Sequence, residues 1–116
     1  MDCTIYRTID VFAKKWTILI LFELYKGKNH KLRYNELKDS LDKITSKMLS
    51  ERLKELEYEG LLTRTVNNSV APISCEYELT KAGLEFFEVI SKIKDWSLKW
   101  KVENKMCNNS SCLGCK

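Results

Sequence analysis

At 116 residues, with 44% hydrophobic and 31% charged side chains, the chain has the size and composition of one soluble globular domain. The longest apolar run, Ile18 to Phe22, is far too short to span a bilayer, so no membrane partner is expected. The formal charge of +4 permits a polyanion partner, and a domain this small gains from dimerisation.

Thr4 to Ala13 is expected to be a short helix, with Ile5, Ile9 and Phe12 on one side. Trp16 to Lys26 is apolar almost all round and closes at Gly27, which predicts a buried helix, with a strand as the alternative. Lys28 to Arg33 is expected to be a loop with room for a short strand. Tyr34 to Leu41 is the next helix, with Leu37 and Leu41 four apart. Thr45 is a good N-cap for a helix from Ser46 to Glu59, which stops at Gly60. Leu61 to Val66 and Cys75 to Leu79 are strand-like, and the turn-rich NNSVAP between them predicts a hairpin. Thr80 opens a last helix to about Glu103, whose apolar set is wider than a surface helix needs.

The fold class that follows is mainly α with a small β-hairpin. Two short helices and a hairpin make a winged helix-turn-helix, flanked by N- and C-terminal dimerisation helices. Residues 1–103 form this unit, and 104–116 form a polar, Cys-rich tail expected to be mobile. The dimer interface expected from the surplus apolar surface comprises Ile5, Ile9, Phe86, Ile90, Ile93, Trp96 and Trp100.

The charge supports a nucleic-acid partner. Lys26 to Lys54 holds nine Lys/Arg against four Asp/Glu, whereas the rest of the chain holds eleven against twelve. On a helical wheel Leu49, Leu53 and Leu56 share one stripe, and Lys47, Ser50, Glu51 and Lys54 fall opposite, with Ser46 at the edge. A recognition helix touches bases mainly through its first two turns. Ser46, Lys47, Ser50 and Glu51 are therefore the candidates nearest base edges, Thr45 at the head of the helix is a further DNA-binding candidate, and Lys54 is the candidate for a phosphate. Arg52 sits nearer the apolar stripe, where a snorkelling phosphate contact and an intramolecular ion pair both remain open. Arg64, at the base of the wing, and Asn67 and Asn68 near its tip are candidates for phosphate or minor-groove contact; for the two Asn, turn formation is the alternative.

These segments resemble the HxlR family of winged-helix transcription regulators. The resemblance runs from Cys3 to Trp96. It is carried by KKWTILILFELYKG at 14–27, LRYNEL at 32–37, ITSKMLSERLKELEYEGLLTR at 44–64, Pro72, and EYELTKAG at 76–83. It implies a homodimer whose first and last helices form the interface, and binding to a palindromic or repeated double-stranded operator. It also implies that a cysteine near the N-terminus, here Cys3, serves as a thiol sensor. Where the family often carries Pro-x-Arg-Val in the wing, this chain has Pro72, Ile73, Ser74 and Cys75.

The five cysteines suit a reducing compartment, and the N-terminus MDCTIYRTID has no long apolar run, so a cytoplasmic location is expected. Cys3 precedes a helix start with Arg7 one turn on, an arrangement that favours a thiolate; the alternative is an inert apolar contact. Cys75 is expected in the core. Cys107, Cys112 and Cys115 would supply three ligands of a zinc site or an iron–sulfur cluster, or remain a loose, disulfide-forming tail. No cofactor is required by the fold. With one histidine, His30, and no clustered glycines, no catalytic set can be built, and no enzymatic activity is expected. The rival functions are a metal-dependent sensor using the tail cysteines and a winged-helix interaction module without DNA binding.

Overall fold

A computed structural model describes residues 3–69, 71 and 73–101. In chain order its elements are α1 (Thr4–Phe12), α2 (Thr17–Lys26), β1 (Lys31–Arg33), α3 (Tyr34–Ser40), α4 (Ser46–Tyr58), β2 (Leu62–Asn67), β3 (Ser74–Leu79) and α5 (Lys81–Trp100). The tail cysteines Cys107, Cys112 and Cys115, together with Val70 and Pro72 in the wing, lie outside the described residues.

The core forms where the apolar stripes of successive elements meet. Ile20, Leu21 and Leu24 of α2 pack with Leu37 of α3, Leu49, Leu53 and Leu56 of α4, and Leu62, Tyr77 and Leu79 of the sheet. Burying each of these leucines stabilises the fold by about 1.5–3 kcal/mol. The α2 segment is thus the helix around which the others assemble, not a strand.

The sheet has one strand more than a hairpin. Its order is β1-β3-β2, antiparallel throughout, with Leu32 opposite Tyr77 and Arg64 opposite Tyr77 on the other side. Three residues are too few to display an alternation, which is why β1 is weakly marked in the sequence. Before it, Gly27 ends α2 in an extended conformation, and the left-handed residues are Asn29 and His30, at φ 57° and 58°.

Two glycines fix the join between α4, the sheet and α5. Gly60 follows α4 with φ 81°, a left-handed position that suits glycine. Gly83 lies so close to the Leu61 carbonyl that a Cβ there would collide with it. Thr80 caps α5: its Oγ1 accepts from the Gly83 amide at 3.2 Å and donates to the Gly60 carbonyl at 2.7 Å.

The two end helices pack on this body only in part. Phe12 of α1 stacks on Phe86 of α5, with centroids 3.8 Å apart. Phe86 and Ile90 are thereby half-buried within the chain itself. Ile5 and Ile9 on α1, and Ile93, Trp96 and Trp100 on α5, stay exposed, Ile5 and Trp100 by about two-thirds. No helix among the described residues is long and apolar enough to cross a membrane.

Candidate nucleic-acid interface

The candidate interface is built on α4. Thr45 Oγ1 accepts the Met48 amide at 3.1 Å, so the first turn is held by its own cap. Leu49, Leu53 and Leu56 are at most 1% exposed and clamp one side of the helix to the core. Ser46, Lys47, Glu51 and Lys54 are exposed on the other side, as is Thr45 at its head. The outer face therefore has its donors and acceptors free while its backbone is held rigidly from behind.

Tyr34, at the start of α3, sets the angle between α3 and α4. Its hydroxyl donates to the Ser46 carbonyl at 3.2 Å. The Ser50 hydroxyl, 3.4 Å from the Tyr34 hydroxyl oxygen, then donates to that oxygen, because the single tyrosine proton is already committed. Ser50 is half-buried by this contact and is less available to a base edge than the wheel alone implies. No local pattern in the sequence marks Tyr34 for this role, since its partners lie 12 and 16 residues on.

Arg52 is held inside the chain. Its Nη1 lies 3.4 Å from Glu55 Oε2, and Lys14 Nζ sits 2.8 Å from both oxygens of the same carboxylate. The Arg52 Nε atom is buried and finds no partner among the described residues. The Lys14–Glu55 pair fastens the turn between α1 and α2 to the flank of α4, and being solvent-exposed it contributes at most about 1 kcal/mol.

The base of the wing is more polar than expected. Residues 62, 64 and 66 share a face with 75, 77 and 79. That face is core at Leu62 and Leu79 but opens at Arg64 and Cys75. Cys75 is half-buried and packs against the edge of the core, where Arg64 Nη2 donates to its sulfur at 3.4 Å. This contact, with a smaller effect from Tyr77, raises the Arg64 pKa further above its ordinary value. Burial, the largest influence on Tyr77, pushes its phenol up, and Arg64 draws it part of the way back. Arg64 remains exposed, so its guanidinium is oriented without being enclosed.

At the wing tip, Asn67 Oδ1 accepts from the Ser69 amide at 3.0 Å and from the Ser69 hydroxyl at 2.6 Å. Asn67 is spent on the turn, while Asn68 is exposed. Ser74 pairs with Asn67 across the hairpin and is half-buried. An additional cation stands nearby. Arg33 is exposed at the start of α3 and lines, with Asn35, Asn67 and Ser74, a cleft of about 500 Å³ between α3 and the wing. Its amide donates to Glu36 Oε1 at 2.9 Å, which ties the start of α3 to its third residue. The charge count of the Lys26–Lys54 segment includes Arg33 without singling it out.

Cys3 is exposed immediately before α1, where its carbonyl accepts the Arg7 amide at 3.1 Å. Among the described residues no three His, Cys, Asp or Glu side chains are placed to hold a metal ion.

A helix pair, a three-stranded wing and a clamped helix with a free polar face define a winged helix-turn-helix protein. Residues 11–105 match the HxlR-like helix-turn-helix family, and the chain belongs to it. It is similar to two HTH-type transcriptional regulators of Bacillus subtilis strain 168. YvaP is 35% identical over 94 residues, spanning 81% of this chain and 83% of YvaP. YdeP is 38% identical over 99 residues, spanning 85% and 74%. Among solved structures, the reduced form of the B. subtilis transcriptional regulator YodB superposes with a TM-score of 0.75 at 28% identity, covering 90% of this chain and 99% of YodB. The redox regulator HypR in its oxidised form gives 0.71 at 31% identity, covering 84% and 96%. The chain is thus a transcriptional regulator by family.

Proposed function

We propose that the chain acts as a homodimer in the cytoplasm and binds a palindromic or repeated operator, with α4 of each subunit in a major groove. The observation that carries this reading is the exposed row Ser46, Lys47, Glu51 and Lys54 opposite a fully buried leucine stripe. Ser46, Lys47 and Glu51 lie in the first two turns and face base edges, with Thr45 and Ser50 beside them. Lys54, Arg64, Arg33 and Asn68 face phosphates. Arg52 and Asn67 support this surface from within, given their internal partners. Replacing Lys47 by Ala should cost roughly 1–3 kcal/mol in affinity for a duplex from the chain's own upstream region, and should relax sequence preference. Fluorescence anisotropy on matched and scrambled duplexes reads both effects. Unchanged affinity would place the DNA on another face.

A second reading adds redox control through Cys3. It is supported by the exposure of that thiol at the head of α1 and by the likeness to HypR, whose reduced and oxidised forms are both solved. Diamide treatment should then weaken operator binding, and Cys3→Ser should abolish the response. A response that survives in Cys3→Ser assigns the chemistry to another cysteine.

A further inference from the structure

A cleft of about 640 Å³ lies between the end of α2 and the middle of α5, away from α4 and the wing. Its volume falls in the range of small-molecule sites. One wall is a column of rings. Tyr25 stacks on Phe87 with centroids 3.7 Å apart and planes 5° from parallel, and His30 stacks on Tyr25 at 5.0 Å and 24°. His30 reaches this position because Asn29 and His30 both adopt left-handed backbone conformations, a pairing that non-glycine residues rarely show. Its Nδ1 lies 2.9 Å from the Tyr25 carbonyl oxygen. A carbonyl can only accept, so Nδ1 carries a proton, and in the neutral ring Nε2 is left as an acceptor. The other wall is α5, where Glu88, Lys92 and Asp95 line the cleft. Two carboxylates against one ammonium make that wall net negative.

From this arrangement we infer that the cleft is a binding site for a planar aromatic cation carrying an N–H donor. The ligand lies against the edges of the stacked rings, its N–H donates to His30 Nε2 in the imidazole plane, and its charge lies against Glu88 and Asp95. Every group involved sits on α2, α5 or the strained turn after α2. The occupant therefore touches α5 just before Ile93, Trp96 and Trp100, the residues offered above to a second subunit.

The chain has one histidine, so the imidazole Cε1–H resonance is a single reporter of the site. The probe is 4-aminoquinoline, a flat cation at neutral pH, and quinoline-4-carboxylate is an anion on the same ring system. The test uses the full chain without DNA, so its outcome is independent of operator binding. The inference predicts a saturable shift of the His30 resonance by 4-aminoquinoline in the millimolar range or tighter. It also predicts binding weakened about tenfold or more in a Glu88→Gln, Asp95→Asn double variant, as loss of charge-assisted contacts requires. Both substituted positions are exposed, so the fold is retained. No saturable shift, an equal response to the carboxylate, or undiminished binding by the double variant overturns the inference.

Discussion

Single side chains decide how the polar surface is presented. Tyr34 holds α4 through the Ser46 carbonyl, Glu55 holds Arg52, and Arg64 lies across from Tyr77 on the wing. Tyr77 links this arrangement to pH. Its phenol is raised in the folded state, mainly by burial, so folding favours the protonated form. The stabilisation is complete below the ordinary tyrosine value of about 10 and is lost as pH rises from there through the higher folded value. Thermal unfolding between pH 9 and pH 12 should therefore show a steeper loss of stability in the wild type than in Tyr77→Phe. Parallel curves would mean that Tyr77 ionises as freely folded as unfolded. The roles of Tyr34 and Glu55 are not legible in the sequence. Apart from Arg52, three residues from Glu55 on the same helix, their partners lie 12 to 41 residues away, and no periodic pattern encodes such a distance.

At the scale of elements, legibility followed length and caps. α4 and α5 begin at Thr residues whose hydroxyls accept a backbone amide, and α4 ends before a left-handed Gly60. Both starts were visible because a cap is a local signal. β1 is short and its partner, β3, is more than 40 residues on, so the sheet looked like a hairpin. Cys75 shares a face with the buried Tyr77 and Leu79, which suggests core, and it packs at the core's edge, where Arg64, diagonal to it on β2, reaches its sulfur. Helical periodicity places the outer face of α4 where it lies, but carries no trace of Tyr34 against Ser50. The end helices carry their own prediction. Ile93, Trp96 and Trp100 of α5 are each more than half exposed, and α1 buries none of its residues. Exposed apolar surface of this extent marks an interface. Light scattering should give twice the 13.6 kDa chain mass for the wild type and the single mass for an Ile93→Asp, Trp96→Ala variant. A monomeric wild type would mean that α1 and α5 do not join two copies in solution. A monomeric variant should also lose about a hundredfold or more in affinity for a two-site duplex, because the second contact is no longer intramolecular.

For the whole molecule, the net positive charge is concentrated between Lys26 and Lys54, in the segment that supplies β1, α3 and most of α4. Lys31, Arg33, Lys47 and Lys54 are exposed there. The polar side of α4 and the wing base frame the same surface, while the exposed apolar residues of α1 and α5 form a separate face, which we propose a second copy covers. We propose that this cationic surface neutralises phosphates of a DNA duplex. Its most direct test is the dependence of operator affinity on salt. Displacing counterions from six or more phosphates requires the affinity of the full chain to fall roughly a thousandfold or more between about 50 and 200 mM monovalent salt. A nearly flat response over that range would contradict the account and leave the exposed face of α4 to a protein partner.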